Sequence, residues 1–227
     1  MLVFVGGESH AEGYRKGLDL LEVYDATYQV LIYDDSPVPS SSDQYLRFGE
    51  PYHLGEQIYT SQSYVSSLKN QIKGRYDEGN PYSVVGFGWC YDMTWVNPPG
   101  GGLDPVYNVR WAGTSEGGPD GNTRWGLDAG DSVLTNNRIN MDTYLSQVDD
   151  YNAFCELNSP GTVFIFTTGP VDGNSGTENG FQRELKHDHI RAYVAEDDSR
   201  ILFDYADILY WNDSGEKHIV EWNDGGN

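Results

Sequence analysis

The sequence predicts one α/β domain, built on a parallel sheet of five strands with helices on both faces. Segments with strand periodicity alternate with segments of helical periodicity along the chain, and such alternation requires right-handed crossovers between parallel strands. A length of 227 residues suits one domain over 1–227. Hydrophobic residues make up 38% of the chain and aromatic residues 14%, which is enough for a substantial core.

The first half of the chain begins with an apolar strand over residues 2–5, which two glycines end. The helical spacing of Tyr14, Leu18 and Leu21 predicts a helix over residues 11–23. The next elements are a strand over 28–33, a polar loop over 36–60, and a helix over 61–72 marked by Tyr64, Leu68 and Ile72.

The run SVVGFGW at residues 83–89 predicts the third strand, in which Gly86 and Gly88 permit close approach of backbone or ligand. Residues 91–140, rich in Gly, Asn, Asp and Trp, form a long insertion, and loops of this length are usually functional. A helix follows the insertion, capped by Asn140 or Asp142 and ending at Leu157. After it we expect a strand over 162–168, a helix over 180–194 and a strand over 201–205. At most one further edge strand is expected, over 218–222.

The net charge of −21 excludes two classes of partner. Such a chain is repelled by the phosphates of nucleic acids and by anionic membrane surfaces, and no apolar run approaches the roughly 20 residues that a membrane helix needs. The acidity suits a secreted, calcium-rich or saline setting, although solubility alone explains it as well. No signal-peptide pattern opens the sequence, so we expect an intracellular protein or a processed chain. For the two cysteines, Cys90 and Cys155, we favour buried thiols over a bridge.

The loop after the first strand is the first place where we expect a site, because ligands of parallel sheets bind beyond the carboxyl ends of the strands. It reads Gly6-Gly7-Glu8-Ser9-His10. A sharp turn there places Gly7 and Ser9 near a helix N-terminus, whose N–H groups and dipole stabilise an oxyanion. The alternative is that Ser9 or Glu8 only caps the helix.

The loop after the third strand carries Trp89, Tyr91, Asp92 and Trp95. Aromatic rings beside a carboxylate are typical of sugar-binding sites, where Trp and Tyr stack on the C–H faces of the ring. An aromatic cluster that packs the long loop onto the sheet is an equal alternative. We include all four residues in the predicted site.

The fourth strand is followed by Asp172, at the edge where catalytic or binding residues are expected, although Asp-Gly-Asn is also ordinary turn chemistry. His187 and His189 come on the next helix. Two residues apart on a helix, they point to different faces, so they cannot bind one metal from this helix alone. We expect one to face the strand ends and the other to be solvated.

The long insertion contains several oxygen-bearing side chains between residues 120 and 131. They would suit calcium, but EF-hand spacing is absent and solvated turns are the interpretation we favour. We therefore predict no cofactor.

The order of elements, with Gly6-Gly7-Glu8-Ser9 directly after the first strand, resembles that of the SGNH (GDSL-like) hydrolase superfamily. The stretches GFGWCYDMTW from Gly86, TTGPVDGNSGTENGFQRELKHDHIRAYV from Thr167 and ILFDYADIL from Ile201 resemble a group of mostly secreted bacterial SGNH-like proteins. The resemblance implies a flavodoxin-like three-layer α/β/α sandwich and ester hydrolysis, often of acyl groups on carbohydrates.

Carried over residue by residue, the resemblance puts Ser9 at the position of the nucleophile and Gly49 or Gly55 at that of the oxyanion-hole glycine. Asp92 stands where the superfamily has an asparagine, and a carboxylate is a poor oxyanion donor unless it is protonated. The superfamily's C-terminal Asp-x-x-His does not occur after Asp207. Either the sequence stops short of that block, or another histidine substitutes, for which we choose His187, or the fold is kept without the activity.

Two functions follow from these observations. The first is a serine esterase that acts on an acylated polysaccharide. The second is a non-enzymatic protein of the cell exterior or surface, either a carbohydrate-binding protein or a subunit of a homo-oligomer, filament or surface layer. A glycan partner is expected in the first and in the binding form of the second.

Overall fold

The structure is a computed structural model that describes residues 1–7, 9–34, 46–50, 55–91, 93–94, 104, 106–110, 112–113, 124–131, 139–171 and 178–222. Two compact units make up the chain. Unit 1 consists of Met1–Gly88 with Ser146–Ile165, and unit 2 of Trp89–Leu145 with Phe166–Asn227. No helix in the described parts of the chain has the length and apolarity needed to cross a bilayer.

Strands and helices alternate over most of the described chain. The strands are β1 Leu2–Gly7, β2 Val30–Asp34, β3 Leu46–Glu50, β4 Val84–Gly88, β5 Ala112–Gly113, β6 Arg124–Trp125, β7 Val163–Phe164, β8 Phe166–Thr167 and β9 Leu202–Phe203. The α-helices are α1 Ser9–Tyr24, α2 Gln57–Thr60, α3 Gln62–Asp77, α4 Met141–Asn158, α5 Glu178–Ala195 and α6 Tyr205–Tyr210, and 3₁₀ turns span Ala26–Tyr28 and Ala129–Asp131.

The sheet of unit 1 is parallel throughout, with strand order β2-β3-β1-β4-β7. β1 lies at its centre, with Val3 opposite Val84 and Gly7 opposite Gly88. Burial is nearly continuous along β1 and β4, as expected for parallel strands, which are apolar on both faces. The predicted α/β class and its parallel sheet are therefore confirmed.

The helices of unit 1 bury their apolar faces at helical spacing. Val65, Leu68 and Ile72 of α3 are at most 4% exposed, and burial of each such side chain stabilises the fold by roughly 1.5–3 kcal/mol. Tyr14 and Leu18 of α1 pack against the cluster formed by Val5 and Ala11. Leu21 and Tyr64, which we expected on these buried faces, are exposed.

A side chain covers the outer edge of the short strand β7. The Asn152 amide of α4 donates to the Phe164 carbonyl at 3.0 Å and accepts from the Phe164 N–H at 2.8 Å. The Tyr151 ring stacks on Phe164 with the ring centroids 4.3 Å apart. These contacts satisfy backbone groups that an edge strand would otherwise leave exposed for pairing.

Unit 2 has two short sheets, the antiparallel pair β5–β6 and the parallel pair β8–β9. Its aromatic core is made by Trp89, Trp125, Tyr144 and Phe166, none of which is exposed to solvent. The predicted cap at the start of α4 is confirmed at Asn140, whose side-chain oxygen accepts the Thr143 N–H at 3.0 Å.

The predicted set of five strands is wrong in two places. Residues 46–50, expected in a loop, form β3 between β2 and β1. The run at 162–168 contains two strands instead of one, because the Ile165 N–H donates to Val85 whereas the Phe166 N–H donates to Ile201. Consequently the strand expected over 201–205 pairs with β8 and not with the sheet of unit 1. Residues 218–222 form no strand.

Candidate functional site

The junction of β1 and α1 is closely packed. Gly7 has a φ of +129°, which favours glycine, and a Cβ at Gly7 would lie 2.3 Å from the Gly88 carbonyl oxygen. A Cβ at Gly88 would in turn lie 2.5 Å from the Ala11 nitrogen. The first turn of α1 can approach the ends of β1 and β4 only because both positions are glycine. Ser9, the predicted nucleophile, is the first residue of this helix.

The two glycines predicted for the oxyanion hole have different surroundings. Gly49 lies within β3, opposite Phe4 of β1 and Tyr33 of β2. Gly55 is buried in the turn before α2, where its carbonyl accepts the Ile58 N–H at 3.3 Å. Because the backbone of Gly49 is part of a ladder between two strands, Gly55 is the better match for a loop glycine that offers its N–H to a ligand.

Trp89 belongs to the core and not to a binding surface. Its indole N–H donates to the Thr167 carbonyl at 2.9 Å, and its ring contacts those of Trp125 and Tyr144 edge-on at 5.3 and 4.8 Å between centroids. With no exposed surface, Trp89 cannot stack on a sugar. The predicted binding role of Trp89 is therefore wrong.

Tyr91 is 39% exposed, and the buried Arg183 contacts both its ring and its carbonyl. The Arg183 guanidinium lies 4.1 Å from its ring centroid, within cation–π distance. The same guanidinium donates to the Tyr91 carbonyl and to the Thr94 hydroxyl, each at 2.6 Å. Because Arg183 is buried, the exposed part of the tyrosine faces away from it. Tyr91 is thus a ring of fixed orientation at the surface of unit 2.

His187 faces the end of β8, as expected for one of the two histidines. Its Nε2 accepts the Gly169 N–H at 3.2 Å, and its Nδ1 lies 3.8 Å from the Glu184 carboxylate. The first contact requires the proton of the neutral ring to be on Nδ1, facing Glu184. Burial lowers the pKa of His187, against the opposing effect of Glu184. The ring is therefore neutral at pH 7.

This arrangement bears on the predicted role of His187 as general base. A base for a serine hydroxyl needs a free lone pair on Nε2, and here the Gly169 N–H occupies it. Base catalysis by His187 thus requires this bond to open. Ser9 and His187 belong to different units, and a catalytic role for His187 stays a prediction.

A polar network surrounds His187 and fixes the same strand end. Arg191 binds Asp204 through two hydrogen bonds, of 2.6 and 3.0 Å, and also donates to Glu184 at 2.6 Å. Asp204 accepts the Thr168 hydroxyl at 2.8 Å. Burial alone would raise the pKa of Asp204, but the bonds from Arg191 and Thr168 outweigh it and hold the pKa below its ordinary value. Glu184 is also bonded to the Tyr210 hydroxyl.

The sequence did not predict the burial of two basic side chains of α5. Arg183 and Lys186 are at most 1% exposed, and the Lys186 side-chain nitrogen donates to the Thr94 carbonyl at 3.2 Å. Burial, followed by the charge of Arg183, lowers the pKa of Lys186 well below its ordinary value. The spacing of Arg183, Lys186, His187 and Ile190 puts all four on one helical face, but nothing in the local sequence indicates that this face is buried.

The other predicted features have simpler surroundings. His189 lies 3.2 Å from Asp142, on a different face from His187. The Asp128 carboxylate accepts the Gly130 N–H at 2.8 Å within a turn, whereas Asp131, which we expected in a solvated turn, is buried. Across the described residues, no three His, Cys, Asp or Glu side chains form a group that could hold a metal ion. Asp92, Trp95 and Asp172 lie outside the described residues.

Comparison with models of known protein families, with curated protein sequences and with solved structures finds no match to this chain.

Proposed function

We propose that the chain is an SGNH-like serine esterase, with the flavodoxin-like three-layer arrangement, that removes acyl groups from a carbohydrate. The observation that supports this proposal is the glycine-packed junction at which Ser9 opens α1. The N-terminal N–H groups of a helix have no partner within the helix, and they carry partial positive charge. A serine at this position has donors for an oxyanion close by in its own backbone.

The reaction takes place in two steps. The Ser9 hydroxyl oxygen attacks the ester carbonyl carbon while a base takes the hydroxyl proton, and the sugar alcohol leaves with a proton as the acyl-serine forms. Water then attacks the acyl-serine and releases the carboxylic acid. Gly7 and Gly55 are the proposed additional N–H donors, and His187 is the proposed base once its bond to Gly169 has opened.

The proposed carbohydrate specificity is supported by Tyr91. Its ring is partly exposed, and the buried Arg183 fixes its orientation. A preformed aromatic surface can stack on the C–H face of a sugar without loss of side-chain entropy. We further propose an extracellular or cell-surface location, which suits the charge of −21.

A fluorophosphonate probe tests the nucleophile directly, because it reacts only with an activated serine. Mass spectrometry of the labelled chain is expected to find the adduct on Ser9, and Ser9→Ala is expected to abolish both labelling and acetate release from acetylated xylan. Ser67→Ala is the matched control, since Ser67 is an exposed serine on α3. Absence of labelling of the wild-type chain, or undiminished acetate release by Ser9→Ala, would overturn the proposal.

A second candidate function is favoured by the Gly169–His187 bond. If that bond persists, the chain has no base at His187, and a carbohydrate-binding protein or an assembly subunit of the same fold is the better description. The wild-type chain would then fail to react with the probe but would still bind xylan in a pull-down assay, and Tyr91→Ala would weaken that binding.

A further inference from the structure

The solvent side of α1 carries large apolar side chains. Leu20, Val23 and Tyr24 are 69%, 86% and 88% exposed. Three or four residues apart, they share one side of the helix, opposite the side on which Tyr14 and Leu18 pack against the core. Single exposed apolar residues are common at protein surfaces, whereas several on one helical face form a patch of the kind that marks an interaction surface. We call this side the outer face of α1.

The outer face also contains two glycines that the fold of the chain does not require. Gly13 and Gly17 are exposed and lie within α1, where the backbone dihedral angles suit any residue. Among the described residues, no atom lies within 4 Å of a Cβ added to either glycine. A glycine destabilises the interior of a helix relative to alanine, but it lets another helix or a large side chain approach the backbone closely. A second helix on this face would explain both glycines.

The order of small and large residues on the outer face is self-complementary. Gly13, Gly17, Leu20 and Tyr24 are separated by four, three and four positions, a spacing that is the same in both directions along the chain. In an antiparallel pair of these helices centred between residues 18 and 19, Gly13 lies opposite Tyr24 of the second copy. Gly17 likewise lies opposite Leu20 of the second copy. Each large side chain therefore meets a glycine, and the two-fold symmetry repeats every contact.

The charges beside the outer face are complementary in the same pair. Lys16 and Asp19 are exposed on one flank of the face, and this flank adjoins the same flank of the second copy. Each Lys16 then lies two residues, or roughly 3 Å along the helix axis, from Asp19 of the other copy. Lys16 also forms an ion pair with Glu12 of its own helix at 2.8 Å, but at 66% exposure its ammonium can contact a second carboxylate.

The net charge of −21 opposes association of two copies. At an ionic strength of about 0.15 M, however, charges are screened over a distance of about 8 Å. At the contact itself, two lysines stand beside two aspartates, so this flank of the pair is locally neutral. The charges next to the outer face therefore suit a second copy of this chain, although most of the protein is strongly acidic.

We propose that the outer face of α1 is a homodimer interface, in which two α1 helices pack antiparallel with Leu20 and Tyr24 of each copy against Gly17 and Gly13 of the other. The glycines allow the helix axes to approach to about 8 Å, the short end of the usual range. A single helix pair is a small interface, so we expect a dissociation constant on the order of 10 µM. The inference does not depend on the esterase proposal, because none of these four residues belongs to the proposed active site.

Sedimentation velocity of the full chain, in about 0.15 M salt and over a dilution series that spans the expected dissociation constant, tests the interface. The wild type is expected to change from monomer to dimer as the concentration rises. Gly17→Leu is expected to weaken association about tenfold or more, because its side chain would occupy the space of Leu20 of the second copy. Gly74→Leu is the matched control, since a Cβ at this glycine of α3 also meets no described atom within 4 Å. It should leave association unchanged, and circular dichroism checks that both variants fold.

Lys16→Glu is a second variant, which places a negative charge beside Asp19 of the other copy. It is expected to weaken association about threefold or more, whereas Lys73→Glu, which makes the same change in net charge at an exposed lysine of α3, should have little effect. A wild-type chain that stays monomeric throughout the series would refute the proposal and leave the outer face to a different partner. Undiminished dimer formation by Gly17→Leu or Lys16→Glu would refute it as well, because the copies would then associate in another way.

Discussion

Gly88 and Ala11 lie too close together for residue 88 to carry a side chain. A Cβ at Gly88 would lie 2.5 Å from the Ala11 nitrogen and 2.7 Å from its Cα. Both neighbours are backbone atoms of α1, so no side-chain rotation can relieve the contact. The position of the first helix against β4 therefore depends on the absence of one methyl group.

We predict that Gly88→Ala destabilises unit 1 by about 1–3 kcal/mol, the usual cost of overpacking a rigid site. Urea denaturation followed by far-ultraviolet circular dichroism measures it. Gly74→Ala is the matched control, since Gly74 lies within α3 with no atom within 4 Å of an added Cβ. It should leave the stability unchanged or raise it by up to about 1 kcal/mol. Equal stabilities of Gly88→Ala and the wild type would contradict this account.

His187→Gln is expected to destabilise unit 2 in a pH-dependent way. At pH 7.5 the loss of the Gly169 bond leaves a buried N–H poorly satisfied, which costs about 1–3 kcal/mol. Because burial lowers the pKa of His187, the unfolded chain binds this proton more readily, and the wild type loses stability as the pH falls below about 6.5. Glutamine does not titrate, so the difference between the two proteins should narrow at pH 5.5. A constant difference in urea denaturation at the two pH values would argue against a neutral, buried ring.

Arg191→Met should destabilise the end of β8 much more than a surface charge removal does. The change leaves Asp204 and Glu184, both partly buried, without their shared cation, and we expect a loss of about 2–3 kcal/mol. Lys73→Met is the control, because Lys73 and Asp77 form an exposed i,i+4 pair worth about 0.5 kcal/mol or less. Similar losses in the two variants would show that the network around Arg191 contributes little.

The two thiols are expected to react at very different rates. Neither takes part in a disulfide; Cys155 is buried as expected, but the expectation of a buried thiol is wrong for Cys90, which is partly exposed. Burial raises the pKa of Cys155 to about 11, so almost none of it is thiolate at pH 8. Ellman's reagent should modify one thiol of the native chain quickly, at Cys90, and both after unfolding. Rapid modification of both native thiols would contradict the burial of Cys155.

Local periodicity predicts an element correctly when the element is strongly apolar or packs against residues near it in sequence. β1, α1, β4, α4 and α5 are found close to their expected positions. β3 was missed although Leu46 and Phe48 alternate with polar residues, because it is short and follows a stretch rich in Pro and Ser. The local sequence does not predict that the run at 162–168 is divided into two strands at Ile165. The division depends on hydrogen bonds to Val85 and Ile201, which come from distant parts of the chain.

The order of strands and glycines along the chain was enough to predict part of the candidate site. The turn at Gly7 and the orientation of His187 toward a strand end follow from the position of each residue in its element. The burial of Arg183 does not, because its partners Tyr91 and Thr94 are about 90 residues away and charged side chains on a helix normally face solvent. For the same reason Trp89 was wrongly predicted to lie at a surface: its partners Trp125 and Tyr144 are far from it in sequence.

The division into two units also determines which optical probe reports on which part of the protein. All six tryptophans fall in the segments Trp89–Leu145 and Phe166–Asn227, so tryptophan emission reports on side chains of unit 2, and the fully buried Trp89 and Trp125 should give it a blue-shifted maximum. Unit 1 is silent at that wavelength. Tryptophan fluorescence therefore observes the parallel sheet only indirectly, and the effect of Gly88→Ala on that sheet has to be followed by a probe of the backbone such as circular dichroism.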